Sequence, residues 1–185
     1  MDSNTSTGIR SVRTAFETLA FLRDNGGARV TEVADELSVS KSTAHSHLTT
    51  LESLGYVVKI DGVYQVGLQF LELGHHARAR YSLYEAAKSE ADQLVRATGE
   101  RCQVMVVEDV QGTYIYQTTG EQAVQTASHI GSTVDLYCTA AGKSYLAHLP
   151  ENELEAYLGK IDLSARTENT ITTETELLDQ LEATR

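Results

Sequence analysis

Ser40-Lys41-Ser42-Thr43-Ala44-His45-Ser46-His47-Leu48-Thr49-Thr50-Leu51-Glu52-Ser53-Leu54-Gly55 is the stretch on which the architecture turns. Ala44, Leu48 and Leu51 recur at helical spacing, so at 100° per residue the opposite face presents Ser42, His45, Ser46, Thr49 and Ser53. Ser40 is placed as the N-cap and Gly55 as a left-handed C-cap. No Asp or Glu occurs between Ser38 and Leu51, although the chain holds 26 acidic residues in 185. A polar, acid-free helix suits the major groove of DNA, where hydrogen-bonding side chains meet base edges and phosphates. An ordinary solvated helix with Ser and Thr by chance fits this segment equally well, and so does a face that meets another protein.

The flanks narrow the choice. Upstream, Val12, Phe16, Leu19 and Ala20 fall at i, i+4, i+7 and i+8, the apolar stripe of a helix from about Ser11 to Asp24 that Asn25-Gly26-Gly27 ends. A second helix, about Thr31 to Leu37, takes Thr31 as N-cap and turns Val33, Ala34 and Leu37 inward. Downstream, Tyr56-Val57-Val58-Lys59-Ile60 alternates as a strand, Asp61-Gly62 signals a type I′ turn, and Val63-Tyr64-Gln65-Val66 returns. Helix, helix, turn, helix, hairpin is the winged-helix order. Ser40, Lys41, Ser42, Thr43, His45, Ser46 and Thr49 are then the candidate DNA-facing residues, with Arg10, Arg13, Arg29 and Lys59 as candidate phosphate contacts.

Those segments carry a family resemblance. Ser11-Val12-Arg13-Thr14-Ala15-Phe16, Thr31-Glu32-Val33-Ala34, Lys41-Ser42-Thr43-Ala44-His45 and Thr50-Leu51-Glu52-Ser53-Leu54-Gly55-Tyr56-Val57 resemble the DNA-binding domain of the isocitrate lyase regulator (IclR) family. Tyr64-Gln65-Val66-Gly67 and Leu71-Glu72-Leu73-Gly74 extend the match into that family's linker helix. The family usually has an Arg where this chain has Ser46, a departure that removes a bidentate reader of guanine or phosphate. The resemblance implies a transcription regulator that binds a double-stranded, near-palindromic operator as a homodimer or tetramer and answers to a small-molecule effector, a small organic acid or sugar-derived metabolite.

In the second half, a helix from Ser82, with Tyr84, Ala87, Ala91, Leu94 and Val95 on one side, ends near Gly99. Gln103 to Val107 and Thr113 to Thr118 read as a hairpin around Val110-Gln111-Gly112, and Val124 to Ile130 as a third strand. Thr139 caps a helix running to about Leu149, and Pro150 restarts another. This succession indicates an α+β domain. Tyr137-Cys138-Thr139-Ala140-Ala141-Gly142-Lys143 resembles the family's segment at the mouth of its effector pocket, to which Met105 and His129 are also assigned. A helix start of tiny side chains exposes unpaired N–H groups to a carboxylate; close packing of that helix on the sheet explains the same residues. The expected architecture is thus a winged helix-turn-helix over 1–67, a linker helix over 68–81, and a GAF-like or profilin-like effector-binding domain over 82–185. The helical pattern at the end of the chain, with no closing strand after it, reads as a truncated domain.

Composition agrees with these readings. The net charge of −11 opposes nucleic-acid binding only on average, because residues 1–80 carry 8 basic against 9 acidic side chains and residues 81–185 carry 7 against 17. Acidity with few lysines is the balance expected of a halophilic archaeon, where salt screens self-repulsion. The chain begins Met1-Asp2-Ser3-Asn4, without a secretory pattern, and has no long apolar run, so a cytoplasmic protein free of membrane spans is expected. Cys102 and Cys138 lack CxxC partners, and His45 and His47 diverge on their helix, so no metal or other cofactor is expected. Cys138 beside a helix start leaves a redox sensor as an alternative. No nucleophile elbow, HExxH pair or phosphate-cradling loop points to an enzyme.

Overall fold

The computed structural model describes residues 8–185 and divides into two compact units, Met1–Ala77 and Arg78–Arg185. The start of the chain, read above for a leader, lies outside the described residues.

In the first unit, helices α1 (Arg10–Asp24), α2 (Val30–Glu36) and α3 (Lys41–Ser53) precede a hairpin of β1 (Val57–Ile60) and β2 (Val63–Val66). Leu22, Ala28, Val33, Ala34, Ala44, Leu48, Leu51, Val57 and Tyr64 form the core. One expectation holds only in part: of the stripe Val12, Phe16, Leu19 and Ala20, Leu19 packs against this core. Helix α1 buries Thr14, Thr18 and Leu22, while Val12 and Phe16 stay 51% and 66% exposed. Periodicity located the helix's greasiest face, but the neighbouring elements offer their core to the threonine side, and the Thr18 hydroxyl is satisfied within the helix by the Thr14 carbonyl at 2.8 Å.

Helix α2 starts one residue earlier than expected. Thr31 is not its cap; the Glu32 carboxylate reaches back to accept the Arg29 N–H at 2.6 Å. Helix α3 follows the pattern: Ser40 Oγ accepts from the Thr43 N–H at 3.1 Å. At its far end Tyr56 N–H bonds the Leu51 carbonyl and Gly55 N–H that of Glu52, with Gly55 at φ +79°, a Schellman stop. The hairpin pairs Val57 with Val66 through Ile60 with Val63, and Asp61 and Gly62 both take positive φ, as a type I′ turn requires. Tyr64 and Ala28 exchange backbone bonds of 2.8 and 2.9 Å, which ties the hairpin to the start of α2.

Helix α4 (Gln69–Ala79) follows and has no buried residue. In the second unit, α5 (Ser82–Thr98) is succeeded by an antiparallel sheet of β3 (Arg101–Glu108), β4 (Gln111–Thr119) and β5 (Thr133–Asp135) in that order. A 3₁₀ turn at Leu136–Cys138 leads to α6 (Ala140–Ala147), then α7 (Glu151–Leu158) and α8 (Glu174–Glu182). Helix α5 presses Ala91 and Val95 inward and leaves Leu94, grouped with them on one side, exposed. The β3–β4 turn falls at Asp109 and Val110, so Gln111 and Gly112 belong to the strand. Leu136, Tyr137, Leu146, Ala147, Leu154, Tyr157, Leu177 and Leu181 form the core, with Met105 and Val107 against it.

Val124 to Ile130 is not a strand. Thr126 and Ser128 bond sideways to Arg101 and Gln103 of β3 instead of entering a backbone ladder, and the third strand is Thr133–Asp135, paired with Gln111–Thr113. The alternation that suggested a strand serves side-chain anchoring.

Candidate DNA interface and effector groove

Along α3 the residues named from the sequence, Lys41, Ser42, Thr43, His45, Ser46 and Thr49, are all exposed, as is the cap Ser40. Their hydroxyls are ordered from within. Ser46 Oγ donates to the Ser42 carbonyl at 2.9 Å, and Thr49 Oγ1 to that of His45 at 2.8 Å. Thr50, which the sequence reading passed over, donates to the Ser46 carbonyl at 2.8 Å. Its 100° position beside Ser46 was signal enough to include it. Such back-bonding holds each side chain in one rotamer and leaves its oxygen lone pairs outward.

Basic groups flank this face. The Arg29 guanidinium lies over the hairpin turn, one nitrogen 3.0 Å from where a Cβ on Gly62 would stand. Lys59 Nζ sits 4.9 Å from the Tyr64 ring centroid, an exposed cation on the β1 side of the wing. Arg10 and Arg13 are exposed on the first turns of α1. Arg10 shares a groove of about 530 Å³ with Ser40, Thr43 and the half-buried His47. Arg10 and His47 are thus brought together by the fold although 37 positions separate them in the chain.

Three helices, a left-handed helix stop and a primed hairpin, with an acid-free face between basic flanks, form a winged helix-turn-helix. Residues 11–61 match the IclR helix-turn-helix domain, and residues 75–185 match the C-terminal domain of bacterial transcriptional regulator IclR. The chain belongs to the IclR family.

Among its relatives, the HTH-type regulator named ArcR in Halobacterium salinarum is 30% identical over 181 residues, covering 96% of this chain and 69% of that one. The regulator KdgR of Escherichia coli is 30% identical over 180 residues, covering 96% and 68%. The crystal structure of the Thermotoga maritima IclR superposes with a TM-score of 0.75 at 34% identity, over 95% of this chain and 72% of that one. An IclR homolog from Microbacterium hydrocarbonoxydans complexed with 4-hydroxybenzoate shares the fold, with a TM-score of 0.74 at 21% identity over 92% and 70%. This chain spans about seven tenths of each of these proteins. It is an IclR-family DNA-binding transcription regulator whose second half is the family's effector-binding domain, and its relatives are regulators, not enzymes. No helix among the described residues is long and apolar enough to cross a membrane.

In the IclR C-terminal domain the residues assigned to a pocket separate into three groups. Cys138 and Thr139 line an open groove of about 390 Å³ together with Gln111, Thr133, Asp135 and Arg166. Thr139 Oγ1 caps α6 by accepting the Gly142 N–H at 3.0 Å, and Ala140 and Ala141 are exposed on its first turn. Tyr137 and Gly142 are buried instead. The Tyr137 hydroxyl donates to the Ser164 carbonyl at 3.0 Å, and a Cβ on Gly142 would stand 2.1 Å from the Leu136 carbonyl oxygen. Gly142 is small because helix and turn touch there, so close packing accounts for this glycine. Lys143 is half-buried; Met105 packs under Gly112 and Leu136; His129 is exposed in the loop before β5.

Arg166 and Asp135 form an ion pair at 2.7 Å at this groove, 31 positions apart and without a signal in local spacing. The pair holds the Arg166 pKa above its ordinary value through hydrogen bond and charge together. Burial raises the Cys138 thiol pKa, the reverse of the lowering that a redox-sensing thiolate requires.

Proposed function

We propose that α3 enters the major groove of a double-stranded operator through Ser42, His45, Ser46 and Thr49, while Arg10, Arg13, Arg29, Lys41 and Lys59 meet phosphates. Ser40 and Thr43 order the first turn of the same helix. The observation that carries this reading is the exposed, acid-free face of α3 beside a wing over whose turn Arg29 lies. Two copies act together as a homodimer or a tetramer built from it, placing two recognition helices in successive major grooves. The exposed stripe of Ile9, Val12 and Phe16 supports a second copy as the cover of α1.

The effector is a small organic acid or sugar-derived metabolite bound where Cys138 and Thr139 meet the Asp135–Arg166 pair. Ala140 and Ala141 line the approach, and Tyr137, Gly142, Lys143 and Met105 support it from beneath; His129 stands on the loop before β5. A guanidinium beside a helix start suits a carboxylate, and occupancy shifts operator affinity by a coupling of about 1–3 kcal/mol. The protein works in the cytoplasm by binding alone, without catalysis, and its acidic second half suits a salt-rich one.

Operator binding is tested by titrating duplex DNA with wild type and a Ser42→Glu, Thr49→Glu double variant over a salt series. The variant is expected to lose binding, since added carboxylates repel phosphate; unchanged binding defeats the groove assignment. A thermal-shift series of small organic acids and sugars on wild type and Arg166→Ala tests the effector site. A shift present in wild type and absent in the variant supports it, and a shift unaltered in the variant places the ligand elsewhere.

A further inference from the structure

The short run ahead of α2 serves as part of the wing, an inference that rests on the operator-binding reading above. Gly27 lies so close to β2 that a Cβ there would stand 2.9 Å from Gln65 Cγ and 3.0 Å from the Tyr64 carbonyl oxygen. Ala28 then exchanges backbone bonds of 2.8 and 2.9 Å with Tyr64, which makes this segment a third line of chain along the hairpin. Arg29 follows, and both of its backbone groups are held. Its N–H is taken by the Glu32 carboxylate at 2.6 Å, and its carbonyl accepts the Val33 N–H at 3.1 Å. The side chain thus starts from a fixed point and lies over the Asp61-Gly62 turn, with one guanidinium nitrogen 3.0 Å from the Cβ position on Gly62. It is exposed and joins no ion pair among the described residues. Lys59 Nζ is drawn back over the Tyr64 ring, and the exposed Asp61 carboxylate repels phosphate, so the attraction of the wing tip for DNA rests on Arg29.

With its side chains a helix is about 10–12 Å across and the major groove is about 12 Å wide, so α3 fills the groove it enters. The wing stands beside α3, with Val57 packed into the same core as Leu48 and Leu51. Whatever stands beside a helix that fills the major groove meets the bounding phosphate strand and the minor groove beyond it. A guanidinium there lies between two rows of phosphates, whose combined potential is most negative where the groove is narrow. Runs of A·T pairs narrow it, whereas a G·C pair puts the guanine N2 amino group, a donor, in the path of a cation. We propose that Arg29 reads minor-groove width, so that each half-site carries a short A·T run beside the block contacted by α3.

Duplexes selected from a randomised pool by the whole wild-type chain, then sequenced, supply the probe and are expected to show the A·T run in the flank. Base analogues in that flank separate the two grooves. Inosine·cytosine keeps the major-groove face of G·C without the N2 amino group, and 2,6-diaminopurine·thymine keeps that of A·T with the amino group added. Inosine·cytosine is expected to bind like A·T, and diaminopurine·thymine like G·C, about threefold to tenfold weaker. Arg29→Gln should remove this difference and lower the log–log salt slope by about one. Arg29→Lys keeps the charge but holds its water more tightly, so it should keep the slope and lose most of the difference. The Arg29 side chain is exposed and its backbone bonds do not involve it, so helical circular dichroism equal to wild type is expected of both variants. A pool enriched in the central block but indifferent in the flank, binding that follows the major-groove face of the analogues, or a flank preference undiminished in either Arg29 variant overturns the width reading and leaves operator binding standing. A pool without any enrichment, together with undiminished binding by the Ser42→Glu, Thr49→Glu variant, overturns both.

Discussion

The hydroxyl of Thr18, wholly buried, donates a 2.8 Å hydrogen bond to the carbonyl oxygen of Thr14 one turn earlier on α1. That bond lets a helix turn its threonines to the core and its Ile9, Val12 and Phe16 to the outside. The Thr14 carbonyl also lies in the helical ladder, so Thr18→Val leaves no orphaned group and is expected to change stability by less than about 1 kcal/mol. Leu22→Ala in the same core should cost about 2–5 kcal/mol. Urea unfolding of the two variants checks the contrast, and a large loss for Thr18→Val would contradict it.

Phe16 is 66% exposed, so Phe16→Glu is expected to leave the fold intact while weakening self-association at least about tenfold, the effect of a charge placed in an apolar interface. Sedimentation velocity across a concentration series measures this. An unchanged association constant would remove α1 from the interface.

Across the seam between α5 and β4, the Tyr116 hydroxyl donates to Asp92 Oδ1 at 2.6 Å. The bond holds the Asp92 carboxyl below its ordinary 3.8 and the Tyr116 phenol above its ordinary 10.0. A depressed carboxyl contributes stability present above the unfolded value and lost as pH falls through the folded one. A raised phenol contributes stability present below pH 10 and lost as pH rises beyond it. The stability difference between wild type and Tyr116→Phe should therefore be flat from about pH 5 to 9 and shrink on both flanks. A difference that does not vary with pH would show packing, not this bond.

Gly142→Ala puts a methyl within 2.1 Å of the Leu136 carbonyl oxygen. Backbone, not a flexible side chain, must yield, so a loss of at least about 2 kcal/mol is expected by thermal or chemical unfolding, with Ala140→Ser nearly neutral at its exposed site.

The Tyr157 hydroxyl is buried without a hydrogen bond of good geometry among the described residues, and burial, only partly offset by the nearby Tyr137 backbone, pushes its pKa up to about 12. Tyr157→Phe deletes an unsatisfied group and is expected to be neutral or to stabilise by up to about 1 kcal/mol; a loss above that in urea unfolding would reveal a partner.

Much of the winged helix is legible in the sequence alone. Ser40, Gly55 and Asp61-Gly62 act on backbone groups within a few residues of themselves, so caps, stops and the primed turn could be read from neighbours alone. The outward residues of α3 followed from 100° steps once Ala44, Leu48 and Leu51 were taken as core. Arg10 beside His47, and Arg166 on Asp135, could not, because their meeting depends on where distant elements close.

The order of helices and hairpin, and the polar character of the recognition surface, are properties of local sequence, since hydrogen bonds over three or four residues and a helical period settle them. Which side of α1 is covered, whether Val124 to Ile130 joins the sheet, and whether Gly142 is small for contact or for access were left to the assembled protein. A period reports how greasy a face is and not what stands opposite it; only neighbouring elements decide whether Thr18 or Phe16 meets the core.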